Sequence, residues 1–138
     1  MRSLAFVAFV GLATLAGCEE EPLFGPPTES ECPPTQTLSY ENFGKTFMES
    51  YCTDCHDSKL RGDDRQGAPS FHDFDTIYGI RAVWEHIDYT TAAGPTGIVN
   101  ESMPPDGDPQ PTLAERKQLG EWIACEMPTD AQLMMPTR

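Results

Sequence analysis

Cys52-Thr53-Asp54-Cys55-His56 gathers most of the reactive chemistry of this 138-residue chain into one pentapeptide. Two thiols three positions apart, followed at once by an imidazole, is the spacing at which c-type haem is attached. The thiols meet the two vinyl groups along one porphyrin edge, and the histidine lies below the iron. Other chemistries use similar residues. A redox dithiol calls for a strand before the motif and a helix start at it. A zinc site could take Cys52, Cys55 and one or two of His56, His72 and His86, but a second closely spaced ligand pair is missing. A disulfide between Cys52 and Cys55 would close a strained short ring. The motif here ends a helical pattern, so one covalently attached haem is the expectation.

An iron held by His56 needs a sixth ligand or an open position. Met103 stands in a loop directly before Pro104-Pro105. The two prolines keep that backbone out of a helix and can present a thioether rigidly. Met127 is a rival, as is His72, although His72 lies close to the motif in sequence. Met48 reads as core filler, and Met134 and Met135 fall in a terminal tail. An open sixth position would suit a gas sensor or a peroxidase-like enzyme, with His72 or His86 as the available distal imidazole. Met103 is the expected ligand.

These residues must be positioned by a small number of helices. Tyr40, Phe43, Phe47 and Tyr51 recur at helical spacing, with Ser39 as N-cap, and predict a first helix from Ser39 to about Tyr51. Gly44 inside it weakens the helix and lets another backbone come close. Ile77, Ile80, Val83, Trp84 and Ile87 predict a second helix from near Phe74 to about Thr90. Thr112-Leu113-Ala114-Glu115 fits a capping box for a third, which Pro128 ends. Leu119, Trp122 and Ile123 are its apolar face. Loops over 57–72 and 91–111 are too long for an ordinary three-helix domain, so something besides protein is expected between the helices.

The segment before the helices reads as an export signal and a spacer. Met1-Arg2-Ser3 is a short basic region, and Leu4 to Ala16 is apolar but too short to span a bilayer. Leu15-Ala16-Gly17-Cys18 is similar to a bacterial lipobox, which implies cleavage after residue 17 and lipid on Cys18. Residues 18–38, with Glu19-Glu20-Glu21 and paired prolines, read as an extended tether. Removing 1–17 takes away Arg2 and no acid, which moves the net charge from −13 to −14. Such a chain repels nucleic acid and favours basic or neutral partners. Asp63-Asp64 and Asp106-Gly107-Asp108 read as solvated surface.

Taken in order, a first helix running into C-x-x-C-H, a middle helix, a Met-Pro-Pro loop and a last helix bearing Trp122-Ile123 resemble a class I cytochrome c domain over about 39–128. Gly67-Ala68-Pro69 and Phe74-Asp75-Thr76 resemble stretches found between haem motif and methionine in lipoprotein cytochromes of Gram-negative bacteria. The resemblance implies an all-α cytochrome c fold of about three helices around one covalent haem c, with thioether bonds at Cys52 and Cys55 and axial ligands His56 and Met103. It implies packing of first helix on last, with Gly44 facing Trp122. It also implies that the Pro69 carbonyl accepts a hydrogen bond from the haem histidine. Asp57 stands where that family usually has a glycine after the histidine. If first and last helices pack together, Cys32 and Cys125 can meet, and an exported protein rarely keeps two free thiols. The domain plan is a signal over 1–17, a lipidated tether over 18–38, the cytochrome domain over 39–128 and a tail over 129–138. The function expected is one-electron transfer, not enzymatic catalysis, on the periplasmic side of a bacterial membrane. The outer membrane is favoured and a redox partner with a basic docking patch is expected. The alternatives are a haem-based gas sensor or peroxidase-like enzyme with an open sixth position, and a non-haem zinc-binding lipoprotein.

Overall fold

The computed structural model describes residues 24–126, and within them the chain is helical with no strand. Four α-helices occur: α1 at Lys45–Tyr51, α2 at Ile77–Ala82, α3 at Trp84–Thr91 and α4 at Leu113–Glu126. A single isolated antiparallel bridge joins Ala93 and Val99.

The first helical pattern folds in two parts. Ser39 caps it as its side chain implies, with Asn42 N–H donating to Ser39 Oγ and Ser39 N–H donating to Asn42 Oδ1. The turn that follows, Tyr40–Gly44, is a π-turn in which the Ser39 carbonyl accepts from both Phe43 and Gly44. The wide turn brings Gly44 against the last helix. A β-carbon at Gly44 would lie 2.4 Å from Trp122 Cζ2, so the missing side chain is what lets the two elements touch. Phe43 meets Trp122 edge-on at 6.1 Å, and Tyr51 Oη donates to Glu115 Oε1 at 2.9 Å.

The second predicted helix is two helices. Thr76 caps α2 by accepting from Gly79 N–H, and the chain leaves helical geometry at Val83 before α3 begins. The break does not disturb the apolar stripe. Ile80, Val83 and Ile87 all enter a core with Phe47, Met48, Phe74, Leu119, Trp122 and Ile123. α4 begins as read, with Thr112 and Glu115 exchanging backbone and side-chain hydrogen bonds.

Residues 24–32 depart from the tether expected over 18–38. They form a strap laid across α3 and α4. Thr28 is 1% exposed and gives Asp88 two hydrogen bonds, from its N–H at 2.9 Å and its hydroxyl at 2.5 Å. Asn100 donates to the Pro26 carbonyl, and Gly25 N–H donates to the Tyr89 carbonyl. Gly94 has no side chain where Thr28 passes, since a β-carbon there would lie 1.8 Å from the Thr28 carbonyl oxygen. The composition is that of a spacer, but its backbone groups find partners on distant elements. Cys32 and Cys125 are joined by a disulfide with Cα atoms 4.7 Å apart, which ties the end of the strap to the end of α4. The expected signal, Cys18, Met127, Met134, Met135 and the tail over 129–138 lie outside the described residues.

Candidate functional site

Helix α1 delivers the pentapeptide. The Met48 carbonyl accepts from both Cys52 and Thr53, and the Cys52 carbonyl accepts from Cys55 and His56, so the motif is a tight turn on the helix end. Cys52 and Cys55 are free thiols and are not bonded to each other. Burial, reinforced by the neighbouring Cys55, pushes the Cys52 thiol up to about 12. The Cys55 thiol is raised as well, by burial first and then by the carboxylates of Asp108 and Asp54.

His56 is held at three points. Its Nδ1 lies 3.2 Å from the His72 carbonyl oxygen, its own carbonyl accepts from Phe74 N–H at 2.7 Å, and its ring stacks on Phe74 at 4.5 Å. A carbonyl can only accept, so Nδ1 carries the proton and Nε2 holds the lone pair. Burial lowers the His56 pKa, which favours this neutral form. The histidine's acceptor is thus His72, not Pro69. The Pro69 carbonyl is taken by Arg65 Nη2 at 2.6 Å and by the His72 N–H at 3.0 Å. All three histidines of the chain gather here, with His72 ring centroids 5.8 Å from His56 and 5.1 Å from His86. His72 is pushed down to about 4 by burial and by the other two imidazoles.

The loops flanking the site each fold around a buried arginine. Arg65 donates to the carbonyls of Asp57, Ala68, Pro69 and His72 and to Asp73 Oδ1. Arg116, 2% exposed, donates to the carbonyls of Thr91, Asn100 and Met103 and to Gln110 Oε1. Met103 is half-buried, and its N–H donates to the Thr90 carbonyl at 2.9 Å. Two guanidiniums therefore supply the donors that these long loops lack in secondary structure. Sequence reading missed both, because an isolated arginine in a polar loop or on a helix reads as solvated. The one available signal for Arg116 was its place four positions after Thr112 on a helix with Leu119 and Ile123, where Arg116 shares the inward stripe.

No family model, no curated protein and no solved structure matches this chain. The assignment of the site therefore rests on its own chemistry.

That chemistry fits a c-type haem. The group needs two unbonded thiols three apart and an adjacent imidazole with Nε2 free and its orientation fixed through Nδ1, and each requirement is present. The motif closes the end of α1 and does not open a helix after a strand, which is not the setting of a redox dithiol. Among the described residues, no three His, Cys, Asp or Glu side chains converge as a metal-binding group.

Proposed function

We propose that this chain is a single-haem c-type cytochrome of the class I kind, carrying one electron at a time rather than catalysing a reaction. The observation that carries the reading is His56 at the end of C-x-x-C-H, with Nδ1 on the His72 carbonyl and Nε2 left as a ligand. Haem would supply an Fe(III)/Fe(II) couple there, and His/Met ligation raises its potential. Cys52 and Cys55 would fix the porphyrin edge to α1, and His56 would ligate the iron. Met103, in the loop that Arg116 holds by its carbonyl, would be the sixth ligand. The contact of Gly44 with Trp122 supports the cytochrome c fold, because it brings first helix onto last as that family does.

The chain's acidic balance supports docking to a basic patch on the redox partner, with salt-sensitive association. Among the described residues no helix is long and apolar enough to cross a membrane. The lipobox-like run ending at Cys18 supports a lipid anchor on the periplasmic side, in the outer membrane by preference.

The test is expression of the full chain with the haem-attachment machinery, followed by a reduced pyridine haemochrome spectrum and intact mass. One haem per chain is expected. Its absence ends the proposal. Met103→Ala should abolish the far-red sulfur-to-iron band of the oxidised protein, and an unchanged band would give the sixth position to another residue. Slow or absent carbon monoxide binding by the reduced protein is expected, whereas rapid binding at neutral pH would favour a sensor or peroxidase-like enzyme.

A further inference from the structure

The His72 carbonyl oxygen is shared. It accepts from His56 Nδ1 at 3.2 Å and from Arg65 Nη2 at 2.9 Å. Arg65 is 5% exposed, and besides this bond its donors are spent on three other loop carbonyls and on Asp73. A guanidinium sits in this position as a permanent cation, since arginine does not deprotonate in proteins. Its side chain is screened little by water, and its ion partner Asp73, at 2.9 Å, is 30% exposed.

A carbonyl oxygen that already accepts from a cation has less electron density for a second donor. The Nδ1–H of His56 is then held in direction but is only weakly polarised. An imidazole whose N–H is weakly polarised is a poorer electron donor through Nε2 than one bonded to a free carbonyl or a carboxylate. The buried positive charge acts in the same sense, because it disfavours adding a further positive charge nearby.

We propose that Arg65 is a positioning residue that raises the site's reduction potential by polarising the carbonyl to which His56 donates, with Asp73 as the partial counterweight. This rests on the haem reading above. The arrangement separates two effects that a purely structural arginine would not separate. Removing the cation lowers the potential, and removing its counter-ion raises it.

The experiment is a spectroelectrochemical titration of the haem-loaded full chain and its variants Arg65→Gln, Arg65→Lys and Asp73→Asn. Arg65→Gln should shift the midpoint down and Asp73→Asn should shift it up. Arg65→Lys, which keeps the charge, should stay nearer the parent than Arg65→Gln. In the reduced protein the His56 Nδ1–H proton resonance should move downfield in Arg65→Gln, as the freed carbonyl becomes a better acceptor. If Arg65→Gln does not fold, an upward shift in Asp73→Asn together with a small downward shift in Arg65→Lys, which keeps the charge but loses the fork of donors, still decides the matter. Midpoints that coincide with the parent, or that move the same way in Arg65→Gln and Asp73→Asn, overturn the role of Arg65. Loss of haem from the parent chain itself would instead overturn the underlying reading.

Discussion

Gly44 offers the most direct test of the packing that brings the site's helix onto α4. A β-carbon there would lie 2.4, 2.6 and 2.9 Å from Cζ2, Cη2 and Cε2 of Trp122. Carbon atoms in contact normally stand about 3.5–4.0 Å apart, so the two elements would have to part by roughly 1 Å. The indole cannot yield easily, since Trp122 is 0% exposed and Phe43 rests on it. Overpacking of this kind costs about 1–3 kcal/mol. Three contacts under 3 Å place this site in the upper part of that range, about 2–3 kcal/mol, and alanine returns about 1 kcal/mol of helix preference over glycine, which leaves a net loss of about 1–2 kcal/mol for Gly44→Ala. In a domain of this size that lowers Tm by about 4–8 °C per kcal/mol. Gly44→Val should lose more. The assay is thermal unfolding of the full chain, repeated in a Trp122→Phe background. The smaller ring makes room, so the double variant should be more stable than the sum of the single losses by at least about 0.5 kcal/mol. A Gly44→Ala protein as stable as the parent, or strict additivity with Trp122→Phe, would refute the argument.

Two further outcomes follow from the strap and the caps. Replacing Cys32 and Cys125 by serine opens a loop whose ends are 93 residues apart in sequence, and the chain-entropy model puts the cost at about 4–5 kcal/mol. Denaturant unfolding checks it, and a loss below about 1 kcal/mol would mean that the Thr28–Asp88 bonds alone secure the strap. Acid should also destabilise the protein through Glu115, whose carboxyl is held below its ordinary 4.5 by hydrogen bonds from Thr112 and then from Tyr51. A lowered folded pKa gives stability that is complete above 4.5 and disappears as pH falls through the depressed value. Glu115→Gln should therefore flatten the acid side of the Tm–pH curve, and an unaltered slope would show that the capping carboxylate carries no such linkage.

Local chemistry was readable and long-range polar pairing was not. The caps at Ser39 and Thr112 were legible because each involves residues three positions apart, Ser39 with Asn42 and Thr112 with Glu115. The stripe of Ile80, Val83 and Ile87 was legible because periodicity survives a break in the backbone, whereas the break at Val83 leaves no mark in a pattern of apolar residues. The π-turn at Tyr40–Gly44 hid behind ordinary helical spacing for the same reason. The strap was misread because proline and glutamate report on local stiffness and solvation. The Asp88 carboxylate that accepts from Thr28 stands 60 positions away. Within the site, the pentapeptide announced itself, but the acceptor for His56 did not. Arg65 donates to the Pro69 and His72 carbonyls alike, so which of them faces Nδ1 is set by how the loop wraps round that guanidinium, and that is settled only when the loop closes.

The bond between Cys32 and Cys125 makes a nearly closed ring of the helices and both long loops. Tension applied between those two points would run through one covalent link and bypass every helix. The enclosed machinery would feel almost none of the pull.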